Sequence, residues 1–229
     1  MENNRFKGLD WAPFAQSNRI LIGGAGGIGS WTALAMARAG FSIAIFDFDT
    51  VETTNLAGQF FKESDIGKKK TKAVSENVKM FTNRTIDSFD HRITKVVGDS
   101  NYNVYIAAFD NIEARILFAS SWIEGKGKTL NNSIFIDPRL EAEFYYAHIL
   151  TSEDSQEEIN EYLEMLKEEK ETLVTEGNCT TKQTSHIAMM CAGHITNLAA
   201  CWVSNSLYEE EVKHIPKFIR FDGILNKMK

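Results

Sequence analysis

The apolar positions of the chain form two alternating patterns. Four short apolar runs have the length and composition of buried strands, at 19–23, 41–46, 104–108 and 133–137. Segments in which apolar residues recur at helical spacing follow the first three runs, at 31–40, 64–80 and 112–123. This alternation predicts a Rossmann-like, doubly wound α/β fold with a mainly parallel central sheet and helices on both faces.

The other segments predict smaller or less regular elements. These are a short amphipathic helix within 1–18, a weaker strand at 85–93, a strand at 142–150, an acidic amphipathic helix at 151–171, an apolar helix at 185–204 and a last strand at 215–221. Residues 138–141 are expected to separate two strands, and the C-terminal half therefore adds extra strands to the sheet. In the helix at 64–80, Asp65 lies near the start and Met80 is among the expected buried positions.

Size and composition narrow the class of protein. With 229 residues, 43% of them apolar and 24% charged, the chain predicts a single globular domain over 1–229. A net charge of −6 gives no electrostatic reason to expect a nucleic acid partner. Because the first residues lack the apolar core of a signal peptide and no segment of about 20 apolar residues is evident, we expect a cytoplasmic protein that does not enter a membrane. Cys179, Cys191 and Cys201 are an odd number without a C-x-x-C pair, which argues against a disulfide framework and a structural zinc site.

The first strand passes directly into a glycine-rich turn. Gly24, Gly26 and Gly29 form the pattern G-x-G-x-x-G, with Gly27 among them, and a helical segment follows. Glycines let the backbone turn tightly and approach a phosphate, and the amides at the helix start point toward its negative charge. Asp47 stands eighteen residues after Gly29, where a carboxylate can accept hydrogen bonds from ribose hydroxyls. This combination favours a nucleotide site over a simple strand-to-helix turn.

A second strand ends in the same way. Asp110 follows the run 104–108 and precedes the helical segment 112–123. Because the carboxyl ends of parallel strands meet at one edge of a sheet, Asp47 and Asp110 are expected at the same edge, where such sheets bind ligands. Asp110 could also cap the following helix, and the two roles do not exclude each other. The glycine pattern alone leaves a nicotinamide-dependent dehydrogenase open, although the sequence offers no obvious hydride-transfer site.

Five motifs occur together in order along the chain. They are Gly24-Ala25-Gly26-Gly27-Ile28-Gly29, Asp47-Phe48-Asp49-Thr50-Val51, Asn55-Leu56-x-x-Gln59, Gly67-x-x-Lys70 and Asp110-Asn111-x-x-x-Arg115. Over roughly residues 15 to 205 the chain thereby resembles the ThiF/HesA/MoeB family, to which the ubiquitin-activating enzymes belong. The resemblance implies that ATP, and not a dinucleotide, is bound. It also implies that a carboxylate is adenylated with release of pyrophosphate, typically the C-terminal glycine of a ubiquitin-like or sulfur-carrier protein or of a peptide.

The same resemblance implies the roles of individual residues. Asp47 would hold the ribose, Asn55 and Lys70 the phosphates, and Asp110 a Mg²⁺ ion that arrives with ATP. The remaining members of the implied nucleotide site are Gly24, Gly26, Gly27, Gly29, Asp49 and Gln59. The chemistry is consistent, because negative charge grows on the phosphoryl oxygens and on the departing pyrophosphate, and a fixed cation such as Lys70 lowers that barrier. Outside these motifs, a lysine in the run 68–70 would simply face solvent.

The chain departs from the family pattern at the phosphates. An arginine normally stands between the Asn-Leu pair and the glutamine, and here the position is Gly58. Arg5 is a candidate to compensate, because family members often contribute an N-terminal arginine across a two-fold homodimer, although Arg5 could equally be an exposed residue near the terminus. The paired cysteines that hold zinc in many members are absent. A non-catalytic member that acts as a binding or scaffold subunit and needs a partner is therefore a second hypothesis.

Cys179 is a candidate acyl acceptor. It precedes the apolar helix at the place where family members that form a thioester carry a cysteine, and the helix start and Lys182 would favour its thiolate. An acyl adenylate is a good acyl donor to a thiolate. Other members stop at the adenylate, so that alternative stays open. Cys191 and Cys201 are expected to be small core residues.

Overall fold

A computed structural model describes residues 8–94, 102–126, 132–176, 184–207 and 212–228 of the protein. Within these ranges one sheet contains eight strands: β1 (Arg19–Gly23), β2 (Ser42–Phe46), β3 (Asp87–Phe89), β4 (Val104–Ala107), β5 (Ile134–Glu141), β6 (Phe144–Thr151), β7 (Phe218–Asp222) and β8 (Lys227–Met228). Their order is β3-β2-β1-β4-β5-β6-β7-β8, parallel from β3 to β5 and antiparallel from β5 to β8. The predicted doubly wound α/β fold with extra C-terminal strands is confirmed.

Five described helices cover the two faces of the sheet. They are α1 (Gly27–Ala39), α2 (Lys70–Thr82), α3 (Ile112–Lys126), α4 (Gln156–Glu176) and α5 (Ser185–Asn205). Helices α1, α2 and α5 contribute to one hydrophobic core, and α3 and α4 to the other. In β1, Ile20 and Ile22 belong to the first core and Leu21 to the second, because successive strand residues point to opposite faces. The central strands are therefore apolar on both sides, which explains their uninterrupted apolar runs.

The winding of the sheet reverses at β1. This strand pairs with β2 on one side and with β4 on the other, and Gly23 is level with both Phe46 and Ala107. The carboxyl ends of the three strands therefore lie at one edge of the sheet. A reversal of this kind opens a crevice at that edge, where α/β sheets bind ligands.

Two predicted helices are shorter than expected. Within the described part of segment 1–18, the structure has only a 3₁₀ turn, Ala12–Phe14, so the predicted amphipathic helix is wrong there. The helix predicted at 64–80 begins at Lys70, since a separate 3₁₀ turn, Glu63–Asp65, precedes it. Met80 was expected to be buried and is 58% exposed, whereas Asp65 is fully buried.

The predicted break at residues 138–141 is also wrong. Strand β5 continues through Pro138 to Glu141, and the chain turns at Ala142, whose φ is +53°. The β4 ladder stops at Ile136, so Pro138 lies on a stretch that is paired with β6 alone. A proline, which lacks an amide hydrogen, is tolerated at such a margin of a sheet.

Helix α5 matches its predicted limits closely. Among the described helices it alone is long and apolar enough, by length and composition, to cross a membrane, with a mean hydropathy of 1.3 over 18 residues. Inside the protein, 61% of that window is buried. Its buried face includes Ile187, Cys191 and Ile195 in the first core, while Met189 and Met190 are exposed. This burial pattern is that of a core helix.

Candidate functional site

The glycine turn after β1 is packed between neighbouring loops. Gly24 has φ +96° and donates its N–H to the carbonyl of Phe46 at 2.7 Å. A Cβ on Gly24 would lie 2.5 Å from the carbonyl oxygen of Ala108, and one on Gly29 would lie 1.9 Å from that of Gly24. A Cβ on Gly26 would meet no atom within 4 Å. The first and third motif glycines are thus required by packing, while the second borders open space.

The open space lies at the start of α1. Gly26 is the N-cap of this helix, and no side chain there caps the first amides. The N–H groups of a first helical turn have no partner within the helix and carry partial positive charge. An anionic group beside Gly26 would satisfy them, so this turn fits a phosphate.

Asp47 connects the glycine turn to the loop after β2. Its Oδ2 accepts the N–H of Ala25 and its Oδ1 accepts that of Asp49, both at 2.7 Å. Burial raises the pKa of Asp47, while these two hydrogen bonds and the charge of Lys70 oppose the rise. Each carboxylate oxygen has a second lone pair, so the hydrogen bonds leave capacity for ribose hydroxyls.

Lys70 does not face solvent. It is 8% exposed at the first position of α2, and its Nζ lies 3.0 Å from Oδ2 of Asp49. The N–H of Lys70 also donates to the carbonyl of Asp49 at 2.9 Å. Of the neighbouring lysines, Lys68 binds Asp65 and Glu76, and Lys69 binds the carbonyl of Phe48 and the carboxylate of Asp90. Of this run, only Lys70 is buried, and Asp49 contacts its ammonium directly.

The segment after this loop carries Asn55 and Gln59. The Oδ1 of Asn55 accepts the N–H of Glu52 at 2.9 Å, which leaves its amide NH₂ to donate. The Oε1 of Gln59 is buried and has no hydrogen-bond partner. Buried amide oxygens normally have one, so Gln59 is fitted to accept from a bound molecule or a water.

The position of the missing arginine is tied to α1. Gly58 is buried, and its carbonyl accepts the indole N–H of Trp31 at 3.0 Å. The N–H of Phe60 donates to the hydroxyl of Ser30 at 3.0 Å. This segment therefore has a fixed backbone, and residue 58 itself provides no cation.

Asp110 lies exposed just beyond β4. Asn111 caps α3, because its Oδ1 accepts the N–H of Ala114 at 2.8 Å. The alternative that Asp110 caps this helix is therefore wrong. Asp110 contacts the Asn111 amide at 3.4 Å, and its exposed carboxylate is the type of ligand that Mg²⁺ prefers.

A buried ionic cluster lies behind Asp110, and the sequence did not predict it. Arg115 binds the carboxylate of Asp137, which also accepts from Arg139 at 2.9 Å and from the hydroxyl of Tyr162 at 3.0 Å. Arg139 in turn pairs with Glu169 of α4. The available signal was that Asp137 ends an apolar run, as Asp47 and Asp110 do. In the sequence, Arg115 is distinguished only as the last residue of the fifth motif.

Two candidate residues, Arg5 and Cys179, lie outside the described residues. Of the other cysteines, Cys191 is fully buried, which raises its pKa, and Cys201 is half-buried. The Nδ1 of His194 lies 3.1 Å from the hydroxyl of Tyr145. Across the described ranges, no three His, Cys, Asp or Glu side chains are grouped so that they could hold a metal ion.

The reversal at β1, the glycine turn and the two edge carboxylates define a Rossmann-like α/β protein. The chain belongs to the ThiF family, whose family model matches residues 13–229. Both the predicted family and the predicted fold are thereby confirmed.

Similar proteins include two kinds of activating enzyme. Ubiquitin-like modifier-activating enzyme 5 of Dictyostelium discoideum is 33% identical over 122 residues, which are 46% of this chain and 32% of that protein. The NEDD8-activating enzyme E1 catalytic subunit of Caenorhabditis elegans is 32% identical over 115 residues, 48% of this chain and 26% of that protein. The chain thus matches about a third or less of the length of these relatives.

Solved structures share the fold over most of the chain. PaaA has a TM-score of 0.72 at 16% identity, with 96% of this chain and 65% of PaaA covered. Escherichia coli MccB with ATP has a TM-score of 0.68 at 15% identity, with 96% of this chain and 64% of MccB covered. The chain therefore corresponds to slightly less than two thirds of each of these proteins.

Proposed function

We propose that this chain uses MgATP to adenylate a carboxylate and releases pyrophosphate. The observation that carries the proposal is the buried ammonium of Lys70, fixed by Asp49 at the sheet edge that also presents the glycine turn and Asp110. The substrate class is the C-terminal carboxylate, typically a glycine, of a ubiquitin-like or sulfur-carrier protein or of a peptide. The names of the relatives support this class. Further support comes from one MccB structure that contains ATP and another that contains N-formylated MccA.

Each part of the site has a place in this reaction. A carboxylate oxygen attacks the α-phosphorus, a new P–O bond forms, and the bond to the bridging oxygen breaks with its electron pair leaving on pyrophosphate. The amides at the start of α1 and the Asn55 amide would donate to phosphate oxygens, and Asp47 would hold the ribose. Lys70 would compensate the charge that grows during bond exchange. Mg²⁺, which the Asp110 carboxylate is suited to hold, would add positive charge at the phosphates.

The acyl adenylate has two possible fates. It can leave for another nucleophile, or the thiolate of Cys179 can attack its carbonyl carbon, in which case a thioester forms and AMP departs. An acyl adduct on Cys179, trapped and located by mass spectrometry, is expected on the second route. Unchanged overall activity of Cys179→Ala would assign the chain to the first.

The function is tested by ATP–pyrophosphate exchange with carboxylate substrates. Exchange is expected to require the carboxylate and to fall by at least about a hundredfold in Lys70→Ala and in Asp110→Ala, because each removes a charge or ligand needed at the phosphates. Lys72→Ala is the matched control, since Lys72 is an exposed residue of the same helix. No exchange with any small protein or peptide ending in Gly-Gly would contradict the proposal.

Gly58 favours a second candidate function, a binding or scaffold subunit that needs a partner. The backbone at Gly58 and Phe60 is held by hydrogen bonds to α1, and residue 58 has no guanidinium. Binding of MgATP without exchange, followed by exchange when a partner chain is added, would support this alternative. Under both candidate functions, MgATP is expected to raise the unfolding temperature of the protein and a nicotinamide cofactor to leave it unchanged.

A further inference from the structure

The backbone of the loop that carries Asp110 accepts hydrogen bonds from one buried side chain, that of Arg115. The guanidinium of Arg115 donates to the carbonyl of Ala107 at 2.6 Å, to that of Phe109 and to that of Pro138 at 3.2 Å. Ala107 is the last residue of β4, and Phe109 directly precedes Asp110. Arg115 therefore binds the backbone on both sides of Ala108, immediately before the candidate Mg²⁺ ligand.

Arg115 can do this only because its charge is compensated. It is 6% exposed, and it pairs with Asp137, which is fully buried. Burial opposes ionisation of Asp137, but Arg115 and Arg139 outweigh it and hold the pKa of this carboxyl below its ordinary value of 3.8. An isolated buried charge would be expensive, so the pair acts as a unit.

The cluster also connects the loop to helix α4, which lies on the same face of the sheet as α3. Tyr162 and Glu169 of α4 bind Asp137 and Arg139, respectively. Tyr162 thus contacts the carboxylate directly, and Glu169 contacts it only through Arg139. Tyr162 does not contact the loop through any hydrogen bond of the described residues, which makes it a suitable control.

We infer that Arg115, held by Asp137, is a positioning residue that sets the place of the Asp110 carboxylate for Mg²⁺. This inference rests on the proposed use of MgATP. A planar guanidinium can bind three carbonyls and a carboxylate at once, whereas an ammonium is a point charge with three donors. Arg115→Lys keeps the charge and loses this geometry.

The experiment measures ATP affinity by calorimetry, once with EDTA and once with saturating Mg²⁺. In the wild-type protein Mg²⁺ is expected to tighten ATP binding. In Arg115→Lys the affinity with EDTA is expected to stay unchanged, while the gain from Mg²⁺ falls by about ten- to a hundredfold, as for other residues that orient a metal ligand. Tyr162→Phe, which removes a hydrogen bond to the same carboxylate, is expected to keep the full gain.

A second variant guards against misfolding. Arg115→Met combined with Asp137→Asn removes both charges of the pair, so that no uncompensated ion from this pair stays buried, and it is expected to show the same loss of the Mg²⁺ gain. If both variants only lower the unfolding temperature and keep the wild-type gain, the role of Arg115 is structural and the inference is overturned.

Hydrogen exchange of the amides of residues 108–111 separates this inference from the proposed function. Faster exchange in Arg115→Lys but not in Tyr162→Phe is expected in the protein without nucleotide, because the tether is lost before any ligand binds. Equal hydrogen-exchange rates in the two variants would show that Arg115 does not hold the backbone of residues 108–111. If Mg²⁺ does not change the ATP affinity of the wild-type protein, the proposed use of Mg²⁺ is wrong. The positioning role for Mg²⁺ is then wrong too, whatever the hydrogen-exchange rates are.

Discussion

Individual glycines of the turn have different tasks. Gly24 needs its positive φ and the absence of a Cβ, because a neighbouring carbonyl occupies the space. Gly26 has an ordinary negative φ and free space around its Cα. The consensus pattern marks both positions as glycine, and only the packing shows that one serves the fold and the other faces the candidate ligand.

This difference predicts that one alanine substitution mainly lowers stability and the other mainly weakens ATP binding. Gly24→Ala is expected to lower the free energy of unfolding by about 1–3 kcal/mol, since the new Cβ is strained and clashes. Gly26→Ala is expected to lower it by at most about 1 kcal/mol, the range of an N-cap change, and to weaken ATP binding at least tenfold, about 1.4 kcal/mol. Denaturant unfolding and calorimetry check the pair. A Gly26→Ala variant that binds ATP normally would show that phosphate does not approach this residue.

Asp137 predicts how the protein responds to acid. Its pKa is below 3.8 in the folded state, so its charge contributes stability that is present above the unfolded value and is lost as the pH falls through the folded value. Between about pH 5 and about pH 2, the wild-type free energy of unfolding is therefore expected to fall more steeply than that of Arg115→Met/Asp137→Asn. Denaturant unfolding across this range measures both slopes. Parallel slopes would mean that the buried pair does not contribute to acid unfolding.

At the scale of elements, the sequence predicted the bounds of strands and helices best where no tertiary contact overrides the local hydrophobic pattern. The strands β1, β2 and β4 were predicted to within a few residues because they are short, buried apolar runs. Helix α5 was predicted equally well because it is a long apolar segment with one buried face. The prediction failed where tertiary contacts override local preference. Pro138 continues a strand because β4 ends before it, and α2 starts late because Asp65 is used inside a separate turn.

For the candidate site, the sequence predicted where the motif residues lie but not the contacts that hold them. The motif residues were brought to one sheet edge as expected, since strand ends determine where their loops begin. The contacts that hold those loops could not be predicted. They join residues far apart in the chain, such as Asp47 with Ala25 and Arg115 with Asp137, and no local pattern encodes such pairs.

The 3₁₀ turn before α2 gives a prediction at this scale. Asp65 accepts from the N–H of Lys62 at 3.2 Å, from Lys68 at 3.0 Å and from the Asn77 amide at 2.7 Å, so it joins the turn to α2. Asp65→Ala is expected to lower the free energy of unfolding by about 1–3 kcal/mol, because the buried amide of Asn77 loses its acceptor. It is also expected to weaken ATP binding, since the segment leading to Lys70 is loosened.

Glu63→Ala is the matched control for this change. Glu63 belongs to the same 3₁₀ turn and is exposed. Unfolding and ATP titration are expected to give wild-type values for this variant. If Asp65→Ala lowers stability but leaves ATP affinity intact, the turn does not position Lys70.

At the scale of the whole molecule, the site is assembled from loops that are each tied to a neighbour. Asp47 ties the glycine turn to the β2 loop, Asp49 ties that loop to Lys70, and Arg115 ties the Asp110 loop to β5. These ties fix positions, and within the described part of the chain position 58 is a glycine that provides no cation. We propose that Arg5 of a second copy supplies a cation at the phosphates in a two-fold homodimer.

Mixing two inactive variants tests this arrangement. Arg5→Ala and Lys70→Ala are each expected to lose exchange activity. If Arg5 acts across the interface, a mixed dimer has one site with both lesions and one site with neither, because each site takes Lys70 from one copy and Arg5 from the other. An equal mixture that re-equilibrates forms mixed dimers for about half of its molecules, so about a quarter of the wild-type activity is expected to return. If Arg5 acts within its own chain, each site of a mixed dimer carries one of the two lesions, so no site is intact and no activity is expected to return. Return of activity therefore indicates a shared site, and its absence would contradict this arrangement.

The double variant Arg5→Ala/Lys70→Ala, mixed with wild type, separates the two arrangements. If both residues of a site come from one copy, each mixed dimer keeps one intact site and the mixture retains about half of the wild-type activity per chain. If Arg5 crosses the interface, each site of a mixed dimer lacks one of the two cations. Because only wild-type dimers then stay active, about a quarter of the activity is expected. Exchange activity, measured after subunit exchange has been verified by mass, distinguishes a quarter from a half, and a half would place Arg5 in its own chain's site.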